Sequence, residues 1–203
     1  VLVDEEEGYG DLVMAASTVT AAGINLLAKH GRGLTSLALS AARVQALGLP
    51  PMAASWGPPR KPFTVSIEAR EGVATGISAA DRARTIRVAV DPDTRPGDLV
   101  SPGHVFPLRA HPRGLAGAQG RVESALALVA RASRIEGAVL TEILDDQGDL
   151  ARLPAVAALA ARLQLPWISI QTVSRSNSKE AFHVPDRHAV RQSVVPFPIA
   201  GAG

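Results

Sequence analysis

The sequence has no cysteine among its 203 residues. Disulfides, thiolate-bound metals and a cysteine nucleophile are therefore excluded, and any metal would have to be held by histidine or carboxylate. Aromatic residues are scarce at 3%, too few for the base-stacking surfaces of single-strand binders. Neither sign of charge is in excess, with 21 Lys and Arg against 19 Asp and Glu, so nucleic acid is not an expected partner. No apolar run approaches the ~20 residues of a membrane span, and no basic-then-apolar leader opens the chain, so no membrane partner and a cytoplasmic location are expected. What the sequence does have is apolar content. At 46% hydrophobic against 20% charged, it can fill one compact core.

The acidic, glycine-flexed stretch Asp4-Glu5-Glu6-Glu7-Gly8 precedes an apolar run, Leu12 to Ala16, that reads as a strand. From Thr18 to Lys29, Ala21, Ile24, Leu27 and Ala28 recur at threes and fours, as one helix face does, and Ser17 or Thr18 could cap it. Leu34 to Leu39 reads as a buried strand, and Ala41 to Leu47 as a short helix stopped by Gly48 and Pro50-Pro51. Residues 54–62 are rich in Gly and Pro and read as a surface loop. Phe63 to Glu68 alternates and is the clearest strand; Ser78 with Asp81 three residues later predicts a helix start; Thr85 to Val90 alternates again.

Pro102 to Leu108 mixes breakers with buried types and reads either as a loop feeding a site or as a tight turn between strands. The glycines of Arg113 to Gly120 predict a segment that is mobile or wrapped against a ligand. Glu123 to Ser133 is expected as a helix with Ala125, Leu126, Leu128 and Val129 inward. Ala138 to Leu144 is expected as a buried strand closed by Asp145-Asp146-Gln147-Gly148, Leu153 to Leu163 as a helix and Trp167 to Val173 as a strand. This alternation predicts an α/β (α+β layered) fold, a single domain over residues 1–173 with a Pro- and Gly-rich tail at 174–203.

Several stretches, in fixed order, resemble one family. They are Gly10-Asp11-Leu12-Val13, Leu49-Pro50-Pro51-Met52, Phe63-Thr64-Val65-Ser66, Thr75-Gly76-Ile77-Ser78-Ala79-Ala80-Asp81-Arg82-Ala83-Arg84-Thr85-Ile86, Pro102-Gly103-His104-Val105-Phe106-Pro107-Leu108-Arg109-Ala110 and Val139-Leu140-Thr141-Glu142-Ile143-Leu144. The sequence is identified as similar to the 3,4-dihydroxy-2-butanone 4-phosphate synthases of riboflavin biosynthesis. The resemblance implies a homodimer with its site near the interface, a small-molecule substrate, and conversion of ribulose 5-phosphate to dihydroxybutanone phosphate and formate with magnesium. Such chemistry needs a base beside a carbonyl and a cation to hold adjacent oxygens.

Two family segments depart from the pattern. The family's Arg-Glu-Asn-Glu-Gly-Asp aligns with Glu6-Glu7-Gly8-Tyr9-Gly10-Asp11, which keeps Glu7 and Asp11 but puts Tyr9 where a Glu stands. The family's Arg-x-Gly-His-Thr-Glu aligns with Ala118-Gln119-Gly120-Arg121-Val122-Glu123, so Arg121 replaces a metal-binding His, and Ala118 and Val122 replace phosphate ligands. A guanidinium offers only donors and keeps its charge, so it cannot ligate a divalent ion. Ser36 takes the place of a family Cys, while Glu142 matches the late catalytic Glu.

The reading these departures favour is a divergent lyase- or isomerase-type enzyme that needs no metal or other cofactor and acts on another substrate. Its catalytic set would be Glu7, Tyr9, Asp11, Arg121 and Glu142, with Ser36, Thr75, Asp81, Arg82, Thr85 and His104 contacting substrate. The alternatives are the magnesium-dependent synthase itself and a catalytically silent binding or regulatory homologue. Residue by residue, Glu5 and Glu6 are expected as solvated loop charge, and Tyr9 as a packing lid or a proton donor. Asp81 and Arg82 could be a structural pair, Thr75 and Thr85 could satisfy strand ends, and His104 could simply stabilise its loop. Arg121 opens a helix, where positive charge opposes the dipole, so a carboxylate or ligand partner is expected for it.

Overall fold

Strands and helices alternate to build one seven-stranded mixed sheet in a computed structural model of the chain, which describes residues 1–52, 62–131 and 137–176. The strands are β1 (Leu2–Asp4), β2 (Tyr9–Ala15), β3 (Arg32–Leu39), β4 (Ile67–Ala69), β5 (Leu99–Arg109), β6 (Ala138–Ile143) and β7 (Ile168–Ser169). The helices are α1 (Ala21–Gly31), α2 (Ala41–Ala46), α3 (Ala79–Val90), α4 (Arg121–Ala130), α5 (Leu153–Arg162) and α6 (Ile170–Ser176). The sheet order is β4-β5-β3-β6-β2-β1-β7. Only β3 with β5 and β1 with β7 run parallel.

Alternation along the strands sends side chains to two layers. On one face Leu12, Leu37, Leu39, Val139 and Ile143 meet Ile24 and Leu27 of α1, Ile86 and Val90 of α3, and Val156 and Leu159 of α5. On the other, Ala38, Leu108, Ala138 and Leu140 meet Val122, Ala125 and Val129 of α4, and Ile170 and Val173 of α6. Each large apolar side chain so buried contributes roughly 1.5–3 kcal/mol. Among the described residues no helix is long and apolar enough to cross a membrane.

The structure corrects several boundaries. Residues 16–18 form a short 3-10 turn, so α1 is capped by Thr20, whose hydroxyl accepts the Gly23 amide at 3.0 Å. Phe63 and Thr64 make only isolated bridges, and the strand proper is Ile67–Ala69. Thr85 to Val90 lies inside α3, because the helix capped at Ser78 runs on through it. Pro102 to Leu108 is neither loop nor turn but part of β5. Pro107 is tolerated there because its carbonyl accepts from Thr64 at 3.0 Å, so the side lacking an N–H faces a segment held by bridges alone. Leu126 and Leu128 are only half-buried; Val122, Glu123 and Ser124 are buried instead. Of Trp167 to Val173 only Ile168–Ser169 is strand, and α6 begins at once. Most of the 54–62 loop and of the 174–203 tail lies outside the described residues.

Helix α3 is anchored to the sheet by Thr85 and Asp81, two buried polar side chains of the set expected to contact substrate. Thr85 is fully buried and its hydroxyl accepts the Ala69 amide at 3.0 Å. The Asp81 carboxylate accepts the amide of Gly76 at 3.0 Å, at a turn where Gly76 has φ +84°. Burial opposes its ionisation, but the amides of Gly76, Ala74 and Thr75 and the Ser78 hydroxyl outweigh burial and leave its pKa below the usual 3.8. With the folded pKa below the unfolded one, the ionised carboxylate stabilises the fold above pH 3.8, and that contribution is lost as pH falls through the lowered value. Asp81→Asn should therefore unfold at lower urea than the wild type at pH 6, with the gap closing below pH 3.8. A gap unchanged by pH would show that the charge contributes nothing.

Candidate active site

Strands β2 and β6 pair antiparallel with Asp11 directly opposite Glu142. Two carboxylates in that position repel and, when buried, favour protonation of one of them. The structure places a cation between them. Arg121, the first residue of α4, donates from Nη1 to Asp11 Oδ1 at 3.0 Å and Oδ2 at 3.3 Å, and from Nη2 to Glu142 Oε1 at 2.7 Å. The side chains of Asp11 and Glu142 are 7% and 15% exposed and that of Arg121 is 28% exposed, so the cluster is sheltered but still reachable. Burial alone would lower the Arg121 pKa, yet the two carboxylates outweigh it and raise the pKa above the ordinary arginine value, so it stays charged throughout the accessible pH range. The partner expected for Arg121 from its place at a helix start is thus this carboxylate pair.

A second pair fixes where α4 begins. Glu123, buried in its first turn, accepts the His111 amide at 2.8 Å, and Gly117 packs so closely on the His111 ring that a Cβ there would lie 1.8 Å from Nδ1. The glycine-rich 113–120 segment, with a 3-10 turn at Gly114–Ala116, is therefore folded against His111. It delivers Arg121 to the mouth of the sheet.

The other expected residues fall in three places. Ser36 is buried on β3, on the Leu140 side of the sheet, the side that Glu142 also faces. Tyr9 on β2 lies under Arg152, whose guanidinium carbon is 4.8 Å from the ring centroid, which favours its reading as a packing residue. Glu7 is exposed in a turn where the Glu6 and Glu7 amides donate to Asp4 Oδ1. Thr75 is exposed, while Asp81 and Thr85 serve α3 as described. The Arg82 Nε is buried with no hydrogen-bond partner among the described residues, and burial lowers the Arg82 pKa. His104 on β5 binds Glu68 Oε2 through Nδ1 at 3.0 Å. Glu68, Glu123 and Arg152 were not expected from the sequence, because each acts through a partner distant along the chain.

The donor set does not fit a divalent cation at the Arg121 corner. Its charge is already a guanidinium, both carboxylates are engaged by it, and Glu7 stands out in the turn. Among the described residues no three His, Asp or Glu side chains group to hold a metal.

The fold and this cluster define a single-sheet α/β protein with a carboxylate-and-guanidinium site at one end of the sheet. The model of the 3,4-dihydroxy-2-butanone 4-phosphate synthase family matches residues 1–176, and the chain belongs to that family. The synthase of Hamiltonella defensa is 43% identical over 173 residues, covering 84% of this chain and 79% of the relative. The Candida albicans synthase structure superposes with a TM-score of 0.79 at 32% identity, covering 88% of this chain and 90% of that one. A structure of such a synthase in complex with two magnesium ions gives 0.79 at 32% identity, with 89% and 91% covered. This chain spans about half of a two-domain synthase from A. baumannii, at a TM-score of 0.77 and 38% identity.

Removing Arg121 leaves two sheltered carboxylates face to face. Arg121→Gln should cost about 2–4 kcal/mol in urea unfolding at pH 7, somewhat below the ~3–5 kcal/mol for breaking a fully buried pair because the guanidinium is 28% exposed. A loss below about 0.5 kcal/mol would mean that the bridge is a solvent-screened surface pair.

Proposed function

We propose that this chain performs the reaction its relatives are named for, the formation of 3,4-dihydroxy-2-butanone 4-phosphate in riboflavin biosynthesis, from ribulose 5-phosphate with loss of formate. The observation that carries this reading is that Asp11 and Glu142 stand side by side in a chain that matches the synthase model over residues 1–176. The relatives named above are all synthases, and none points to another substrate. In this reading one carboxylate takes the proton beside the substrate carbonyl. As it is neutralised its hold on Arg121 weakens, and the guanidinium can turn its N–H groups to the oxygen on which charge develops. Magnesium, where a relative holds it, supplies a cation to adjacent oxygens. Here Arg121 supplies positive charge at that point, and no step is assigned to a metal.

A second reading, a metal-free enzyme with a different substrate, is favoured by Arg121 itself, since a guanidinium presents donors in a plane and suits a carboxylate or enolate oxygen. One assay separates the two: formate release from ribulose 5-phosphate, with and without magnesium or EDTA. We expect formate that EDTA does not abolish. Formate that tracks added magnesium would restore the metal-dependent mechanism, and none under any condition would favour the second reading.

We also propose that the chain works as a homodimer. The β4–β5 half of the α4-side face carries no helix among the described residues, and Leu34, 43% exposed, lies in this region with half-buried Phe63 and Phe106. A second copy seated there would bring its own copy of this face to the site. Sedimentation should give a species of about 42 kDa, twice the 21.1 kDa chain. Monomer alone at micromolar concentration would contradict this.

A further inference from the structure

Strand β4 carries a buried carboxylate that the core does not use. Glu68 is only 9% exposed and sits between Ile67 and Ala69, both in the core. Its Oε1 is buried without a hydrogen-bond partner among the described residues, and Gly76 lies so close that a Cβ there would be 1.6 Å from that oxygen. A carboxylate in such a place costs stability that an apolar side chain of similar volume would not. Among the described residues its Oε2 is paired with His104 Nδ1 at 3.0 Å, and the His104 side chain is 43% exposed. The buried acid therefore serves the exposed base.

The backbone is shaped to hold this pair. Ile67 pairs with Val105, but Glu68 pairs with Val100, so residues 101–104 bulge out of the β4–β5 ladder. Gly103 presses on the Ile67 main chain, where a Cβ would come within 2.1 Å of its carbonyl, and its amide donates to Ser66 Oγ at 3.1 Å. Bulges of this kind re-aim a side chain. Here the bulge places the imidazole over Glu68, and core-facing Val105 fixes the opposite direction for its neighbour.

We propose that Glu68 is a positioning residue for His104. It accepts the Nδ1 proton and so fixes the imidazole as one tautomer, with Nε2 free on the open sheet face to exchange a proton with bound ligand. Strand order puts His104 two strands from Glu142, on the order of 10 Å away. It is a second proton-handling point, separate from the Arg121 corner. A reaction that moves protons at more than one carbon needs such a point, and to that extent the role rests on the reaction proposed above.

The test uses ¹⁵N-labelled full-length protein, with the His104 ring nitrogens assigned by their loss in His104→Gln. In its neutral form the wild-type imidazole should carry its proton on Nδ1 and none on Nε2. Glu68→Met should give a tautomer mixture while the melting temperature holds or rises, which a purely structural carboxylate would not allow. It should also lower kcat about 10–100-fold with little change in KM. Glu68→Gln, whose carbonyl can still accept, should recover part of both. If wild type already shows the mixture, or if Glu68→Met leaves the tautomer unchanged, the proposal is wrong. A fixed tautomer in a protein that releases no formate would sustain the dyad and refute the assigned reaction instead.

Discussion

The site depends on one interaction, the guanidinium of Arg121 spanning Asp11 and Glu142. The antiparallel register leaves no choice about where those carboxylates lie, since Asp11 and Glu142 are direct cross-strand partners. Like charges so placed are destabilising unless a cation intervenes. The helix that supplies the cation does so at an electrostatic cost, because a positive charge at its N-terminus opposes the macrodipole. The cost is offset by the company it keeps, since the guanidinium hydrogen-bonds both Asp11 and Glu142. Arg121 thus stands at an unfavourable position only if it is considered alone.

The division of labour between the two sheet faces follows from strand alternation. The face under α1, α3 and α5 is almost wholly apolar, and its buried hydroxyls, Thr35 and Thr141, satisfy each other at 3.1 Å. The face under α4 and α6 is closely packed with apolar side chains where those helices lie. Beyond them it carries Asp11, Glu142, Ser36 and His104. Because each of these sits on a strand, and Arg121 on a helix whose start is tied down by Glu123, the chemistry is placed by rigid elements. The glutamates of the 5–7 turn are exposed, away from these strand positions.

Most elements were legible because their signals are local. Ser78 caps α3 as its spacing with Asp81 predicts, and the apolar runs of β3 and β6 fall where expected. The failures share a cause. Phe63 to Glu68 alternates like a strand, but its pairing is broken by the β5 bulge, which is set by a neighbour far along the chain. Pro102 and Pro107 look like breakers, yet one follows a cis peptide within the bulge and the other faces a sparsely bonded edge. Short apolar runs such as Trp167 to Val173 carry no period that separates strand from helix. At the site, Asp11, Arg121 and Glu142 could be named from the family pattern, but the bridge among them could not. Glu68 was hidden altogether, because nothing local distinguishes a buried acid from a solvated one.

The exchange at position 121 bears on how this family member can treat a substrate. Had an imidazole simply been lost, two sheltered carboxylates would face each other without the guanidinium that now spans them. Instead the replacing residue reaches both with hydrogen-bond geometry. A metal ion accepts lone pairs from several directions and exchanges its ligands. A guanidinium accepts none, and offers donors confined to one plane. A substrate oxygen can approach this corner only in the plane of Arg121 and only in competition with Asp11 and Glu142. In the proposed reaction, binding would be coupled to the protonation of those carboxylates: whichever took up a proton would release a donor, making the cation available to the substrate as charge reached its oxygen. On that proposal, the coupling would let a fixed side chain do work that otherwise calls for an exchangeable ion.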